Sequence, residues 1–238
     1  MIDKQFLAQK ATKQQTYFRN ILREYYQNLF LSLFYQNAKS EKFYFKGGTA
    51  LRLVFGSPRY SEDLDFTSKN NFKTFEDILE RVLISLAKEG VSTQILESKK
   101  TTGGILAILR TNLYNETIDI KIEASQRTKV IQGEKKLITS DIFPSYTVQI
   151  LKQNLMIGEK IDALLSRSKP RDFFDLYFIL RANLLSLSDK ERVKDAFKLL
   201  AKTRFDFAKE LKIFLPKSHW GIIKGFKKIL EQEIRRVL

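Results

Sequence analysis

Residues 46–66 read KGGTALRLVFGSPRYSEDLDF. Phe43-Tyr44-Phe45, just before them, form a short strand, and 49–55 form a short helix. Gly47-Gly48-Thr49 therefore sits at a strand-to-helix turn. Glycines let a backbone approach a phosphate closely, and the free N–H groups of the helix start point at it. Gly56-Ser57-Pro58-Arg59 reads as a turn. Asp63-Leu64-Asp65-Phe66 then alternates polar and apolar, as a half-buried strand does, so Asp63 and Asp65 face the same side. Two carboxylates on one face suit an oxygen-ligated ion such as Mg²⁺. A metal beside a triphosphate is the equipment of phosphoryl or nucleotidyl transfer. Rival phosphate motifs are missing: no Gly-x-x-x-x-Gly-Lys-Ser/Thr loop and no Gly-x-Gly-x-x-Gly turn.

Outward from this stretch, 3–38 repeat apolar and aromatic residues at helical spacing, with no Pro or Gly to interrupt them. The Tyr/Phe stripe there reads as core. Asn70 or Asn71 caps a helix that runs to about 88 and stops at Gly90. Strands are predicted over 91–97, 104–111 and 117–124, with Ile118, Ile120 and Ile122 on one face and Asp119, Lys121 and Glu123 on the other. Residues 126–150 read as short strand or loop pieces broken by Pro144. From about 152 the pattern is helical to the end, with Pro170 at a helix start. The expected fold is α+β: a small mixed sheet with flanking helices over 1–150, then a basic helical bundle over 151–238.

Composition narrows the chemistry. The 238 residues carry 42 Lys and Arg against 27 Asp and Glu, a net charge of +15. That favours a polyanionic partner. Residues 152–238 alone hold 20 basic and 11 acidic residues. With no Cys there is no disulfide, thiolate metal site or thiol nucleophile, and a single His219 makes a His-based triad or metal site a poor expectation. No apolar run is long enough to span a bilayer, and MIDKQFLAQKATKQQ lacks the apolar segment of a secretory signal, so a cytoplasmic location is expected.

Gly47-Gly48-Thr49 followed by Arg59-Tyr60-Ser61-Glu62-Asp63-Leu64-Asp65-Phe66 resembles the signature of the AbiEii toxin family, nucleotidyltransferase-fold proteins of abortive-infection and type IV toxin–antitoxin systems. The resemblance resumes at Ile120-Lys121-Ile122-Glu123, at 159–164 (EKIDAL), at Arg167 and at 170–176 (PRDFFDL). It implies that Gly47, Gly48 and Thr49 hold the phosphates of an NTP and that Asp63 and Asp65 hold Mg²⁺ or Mn²⁺. A third carboxylate is expected from Glu123 or Asp119, with Glu123 favoured. Lys160 would contact the triphosphate, and Asp172 or Asp175 would help position Lys160 or the base. Arg59 and Ser61 would touch phosphates, although Arg59 reads equally well as a buried ion-pair partner holding the carboxylate loop.

The expected activity is metal-dependent transfer of a nucleotide from an NTP to RNA, with a tRNA 3′ end as the favoured acceptor. By resemblance the biological role is a toxin restrained by an antitoxin encoded nearby. Transfer to a protein hydroxyl is the alternative acceptor chemistry. A non-catalytic RNA-binding module is the alternative class, and the intact Gly-Gly-Thr and Asp-x-Asp argue against it.

Overall fold

A computed structural model describes residues 2–69, 71–126 and 132–238. The chain divides into two compact units, one formed by Met1–Gly56 and Tyr60–Leu151, the other by Ser57–Arg59 and Lys152–Leu238.

The first unit begins with α1 (Lys4–Lys13) and α2 (Phe18–Tyr35). The helical pattern of 3–38 is thus two helices rather than one. The interruption has no Pro or Gly; Gln15 turns the chain with φ of +52°. Next come β1 (Phe43–Lys46), α3 (Gly47–Phe55), β2 (Leu64–Ser68), α4 (Phe72–Lys88), β3 (Thr93–Thr101), β4 (Gly104–Leu113), β5 (Glu116–Gln126), β6 (Gly133–Ser140) and β7 (Phe143–Leu151). Asn71 caps α4 through its side chain, which accepts from the Thr74 amide; Asn70, the other predicted cap, lies outside the described residues. Among the described residues the strands form one mixed sheet in the order β3-β4-β5-β2-β1-β7-β6. β2 runs parallel to β5 and antiparallel to β1.

One face of this sheet is apolar. Phe43, Phe45, Leu64, Phe66, Ile118, Ile120 and Ile122 are fully buried. Phe34 of α2 meets Phe43 and Phe66 of that face at ring-centroid distances of 5.5 and 5.2 Å. Burying each such side chain contributes about 1.5–3 kcal/mol, which fixes the pleat: the residues alternating with them turn to the other face.

The segment 133–151 forms a hairpin longer than the short pieces its sequence suggested. Pro144 is tolerated because it falls where the β6–β7 register shifts, between Ile138 and Ser140, a place that asks less of each backbone N–H.

The second unit holds α5 (Gln153–Arg167), α6 (Pro170–Arg181), α7 (Lys190–Lys202), α8 (Phe207–Leu211), α9 (Trp220–Lys224) and α10 (Phe226–Val237). Pro170 is the first residue of α6, where its missing N–H costs nothing. Phe173, Phe174, Phe207 and Phe226 build the centre, with Phe207 and Phe226 at 5.0 Å and Phe174 stacked on Phe226 at 5.8 Å.

Candidate active site

The polar face of the sheet brings two of the predicted carboxylates, Asp65 and Glu123, together. Asp65 on β2 lies in register with Lys46 on β1 and with Glu123 on β5. Side chains directly opposite across a ladder share a face, so Lys46, Asp65 and Glu123 form one row. Asp63 lies one residue before β2 begins. Lys121 joins the group: its amine pairs with Glu123 at 2.9 Å. Burial alone would lower that amine's pKa, but Glu123, Asp63 and Asp65 together raise it above the ordinary lysine value. Lys46 donates to the Ser125 hydroxyl at 2.9 Å. A cavity of about 310 Å³ opens here, lined by Lys46, Asp65, Glu123 and Ser125, by Gly103 of the β3–β4 turn and by Gly104 at the start of β4.

The glycine turn is built around these acids. Gly47 has φ of +85°, and a Cβ placed on it would fall 2.1 Å from the Asp65 Oδ2. The absent side chain therefore makes room for the Asp65 carboxylate, and the backbone needs glycine besides. Gly48 and Thr49 are buried in the first turn of α3. The Thr49 hydroxyl donates to the Asp63 carbonyl at 2.5 Å. Gly-Gly-Thr and Asp-x-Asp are thus one packed object, although the sequence separates them by a turn.

The other predicted residues are placed as follows. Ser61 accepts a hydrogen bond at its carbonyl from Gln27 of α2. Asp119 sits at the far end of β5, where Arg110 of β4 grips it with two hydrogen bonds of 2.7 Å. Those bonds hold its carboxyl below the usual range against a smaller opposing effect of burial. Four residues of strand, about 13 Å, separate it from Glu123, so register favours Glu123 as the companion of Asp65.

Within the second unit, Arg59 donates from Nε and Nη2 to Asp175 at 2.8 and 2.9 Å, and Lys160 donates to Asp175 at 2.8 Å. Of the two readings open for Arg59, the geometry is that of a buried ion pair. Burial alone would raise the Asp175 pKa; Arg59 and Lys160 instead bring it down to about 2. Asp172 is equally buried and is gripped by Arg167 at 2.9 and 2.6 Å. It also accepts from the Lys169 amide at the start of α6. Lys227, one of the basic residues of this unit, caps α7 by donating to the carbonyls of Ala201 and Thr203.

Residues 29–236 match the family model described as nucleotidyl transferase AbiEii toxin, type IV TA system. The chain belongs to this family of nucleotidyltransferase toxins. Type IV toxin–antitoxin membership implies an antitoxin partner and a nucleotide substrate.

Solved structures agree on the fold. MenT4, a nucleotidyltransferase toxin from Mycobacterium tuberculosis, superposes with a TM-score of 0.68 at 15% identity, over 98% of this chain and 89% of its own. JHP933 from Helicobacter pylori gives 0.61 at 20% identity, over 93% and 95%. A putative nucleotidyltransferase from H. pylori gives 0.55 at 20% identity, over 89% and 94%. No curated protein matches. Among the described residues no helix is long and apolar enough to cross a membrane.

For an AbiEii-family chain the metal question turns on the donor set. Among the described residues, no group of three His, Cys, Asp or Glu side chains converges to hold an ion; Glu123 is turned to Lys121. The set still fits Mg²⁺, which takes one or two carboxylates and completes its shell with phosphate oxygens and water.

Sequence reasoning passed over Lys46, although a lysine ending a strand directly before Gly-Gly was the available signal. It also passed over Arg23 and Gln27, polar residues one helical turn apart inside the aromatic stripe of α2.

Proposed function

We propose that this toxin transfers a nucleotide from an NTP to an RNA hydroxyl at the Asp63–Asp65–Glu123 face of the first unit. The observation that carries the reading is the fit of the Asp65 carboxylate into the space where Gly47 has no side chain. It couples the phosphate-binding turn to the acid row, which a plain turn and a plain strand would have no reason to share. The amides opening α3 at Gly48 and Thr49 would bind phosphate oxygens, with Lys46 supplying a point charge beside them. Asp63 and Asp65 would hold Mg²⁺ or Mn²⁺, which when bound would neutralise charge developing on the phosphates. Glu123 would take the proton from the acceptor hydroxyl as its oxygen forms a bond to the α-phosphorus. The bond from that phosphorus to the bridging oxygen breaks, and pyrophosphate leaves. The net charge of +15 supports RNA as the acceptor, with a tRNA 3′ end as the specific candidate.

The test is incubation with labelled NTPs and Mg²⁺ in the presence of total RNA or of lysate protein. Label should enter RNA in the wild type. With Asp65→Asn it should fall at least about 100-fold, several kcal/mol of lost charge stabilisation, while the melting temperature stays near that of the wild type. Label entering protein alone would replace the acceptor, and an active Asp65→Asn would remove the site.

A further inference from the structure

Asp63 and Asp65 are fixed in different ways. Asp65 lies inside the ladder, in register with a neighbour on each side. Asp63 does not: the β2 ladder begins one residue later, at the Leu64–Ile122 pair. Side chains from other elements take hold of this segment, two at backbone carbonyls and one at the Glu62 carboxylate. Gln27 Nε2 donates to the Ser61 carbonyl at 3.1 Å. Arg23 Nη1 pairs with Glu62 at 3.1 Å. Thr49 donates to the Asp63 carbonyl.

Gln27 and Arg23 are four residues apart on α2 and therefore neighbours on one face. Both are buried, Gln27 2% and Arg23 9% exposed, in a helix whose other contacts include Tyr26, Leu29 and Phe30 of the core. Packing alone argues against them. A buried amide or guanidinium is costly to desolvate, and apolar residues of similar volume are often neutral or better there. Arg23 carries a further cost, since its Nε is buried with no hydrogen-bond partner. A buried polar group left incompletely satisfied calls for an explanation beyond stability. Arg23 is also close enough to Asp63 for their charges to interact.

We infer that Gln27 and Arg23 are positioning residues: α2 is a rigid bracket that holds 61–63 in the place of strand pairing, so that Asp63 presents its carboxylate to the metal–nucleotide beside Asp65. The inference rests on the nucleotidyl-transfer reading and adds to it the part of the fold that sets the geometry of the first carboxylate. Loops alone place a side chain less accurately than helices and strands do, and the bracket transfers the rigidity of a buried helix to a loop residue.

The experiment measures Mn²⁺ binding in the presence of a non-hydrolysable NTP analogue, by the loss of the free-ion electron paramagnetic resonance signal, together with transfer rate and thermal melting. Gln27→Leu keeps the volume and removes the donor. It should weaken Mn²⁺ binding about tenfold and slow transfer by a similar factor, with a melting temperature at or above that of the wild type. Arg23→Met should behave alike, and Arg23→Lys, which keeps a charge for Glu62, should recover most of the Mn²⁺ affinity. If Gln27→Leu fails to fold, the Arg23→Met and Arg23→Lys pair carries the test. A purely structural role would lower the melting temperature and leave the Mn²⁺ affinity of the folded protein unchanged, which overturns the inference. Wild-type protein that binds no Mn²⁺–nucleotide overturns the transfer reading itself, and the bracket with it.

Discussion

The carboxylates of the first unit and those of the second live in opposite surroundings. Asp65 and Glu123 line a cavity on the polar face of a sheet, with lysines nearby. Asp172 and Asp175 are 2% and 1% exposed and are gripped by Arg167, and by Arg59 and Lys160. A carboxylate facing a cavity can exchange its neighbours for a ligand. A buried one bridged by two cations holds helices together, and its removal strands the cations in a medium that cannot solvate them. Identical residue types thus stand in opposite surroundings, one pair open to a cavity and the other closed in by cations.

The sharpest way to break this contrast is Asp175→Asn. It should destabilise the second unit by about 3–5 kcal/mol, because Arg59 and Lys160 lose their counter-charge in a buried place; urea unfolding measures it. The contrast also has a pH signature. The folded pKa of Asp175, about 2, lies below its ordinary value of 3.8. Its stabilisation is therefore complete above about pH 4 and is lost as the pH falls toward 2. Asp175→Asn should flatten the stability profile in that window. Unchanged unfolding would erase the distinction between the two regions.

Gly47→Ala sharpens the comparison from the other side. The new Cβ would collide with the Asp65 carboxylate at a φ of +85°. The expected cost is about 1–3 kcal/mol of stability, with a fall in transfer that exceeds what the lost folded fraction explains. Calorimetry alongside the labelling assay separates the two effects.

The smallest effect is expected of Asp119→Asn. Its pair with Arg110 is 42% exposed on both sides, and pairs of that kind contribute at most about 1 kcal/mol. Transfer should be near the wild-type rate, whereas Glu123→Gln should lose most of it. Equal losses in the two variants would mean that register does not choose the third carboxylate.

Much of this was written in local sequence. The strand before Gly47, the short helix after it, and the strand beginning near Asp63 follow from alternation and from glycine chemistry that needs no distant partner. The extent of the hairpin 133–151 was not legible, because Pro144 disguises a strand unless a shift in register beside it is known. The break between α1 and α2 was hidden because Gln15 adopts a left-handed conformation without being glycine.

By itself, then, the sequence determined the chemistry available: oxygen donors, a glycine turn, no thiols, an excess of positive charge, and two carboxylates two residues apart at the start of a strand. These follow from composition and from the period of a strand. Tertiary structure decided which of the remaining groups joins them. Glu123 stands beside Asp65 and Asp119 does not because strand register, set by burying Ile118, Ile120 and Ile122, is a relation between segments some sixty residues apart. Gly47 needs to be glycine partly because Asp65 occupies its missing side chain. Arg59 faces Asp175 because the chain folds it into a core where an unpaired charge is not tolerated.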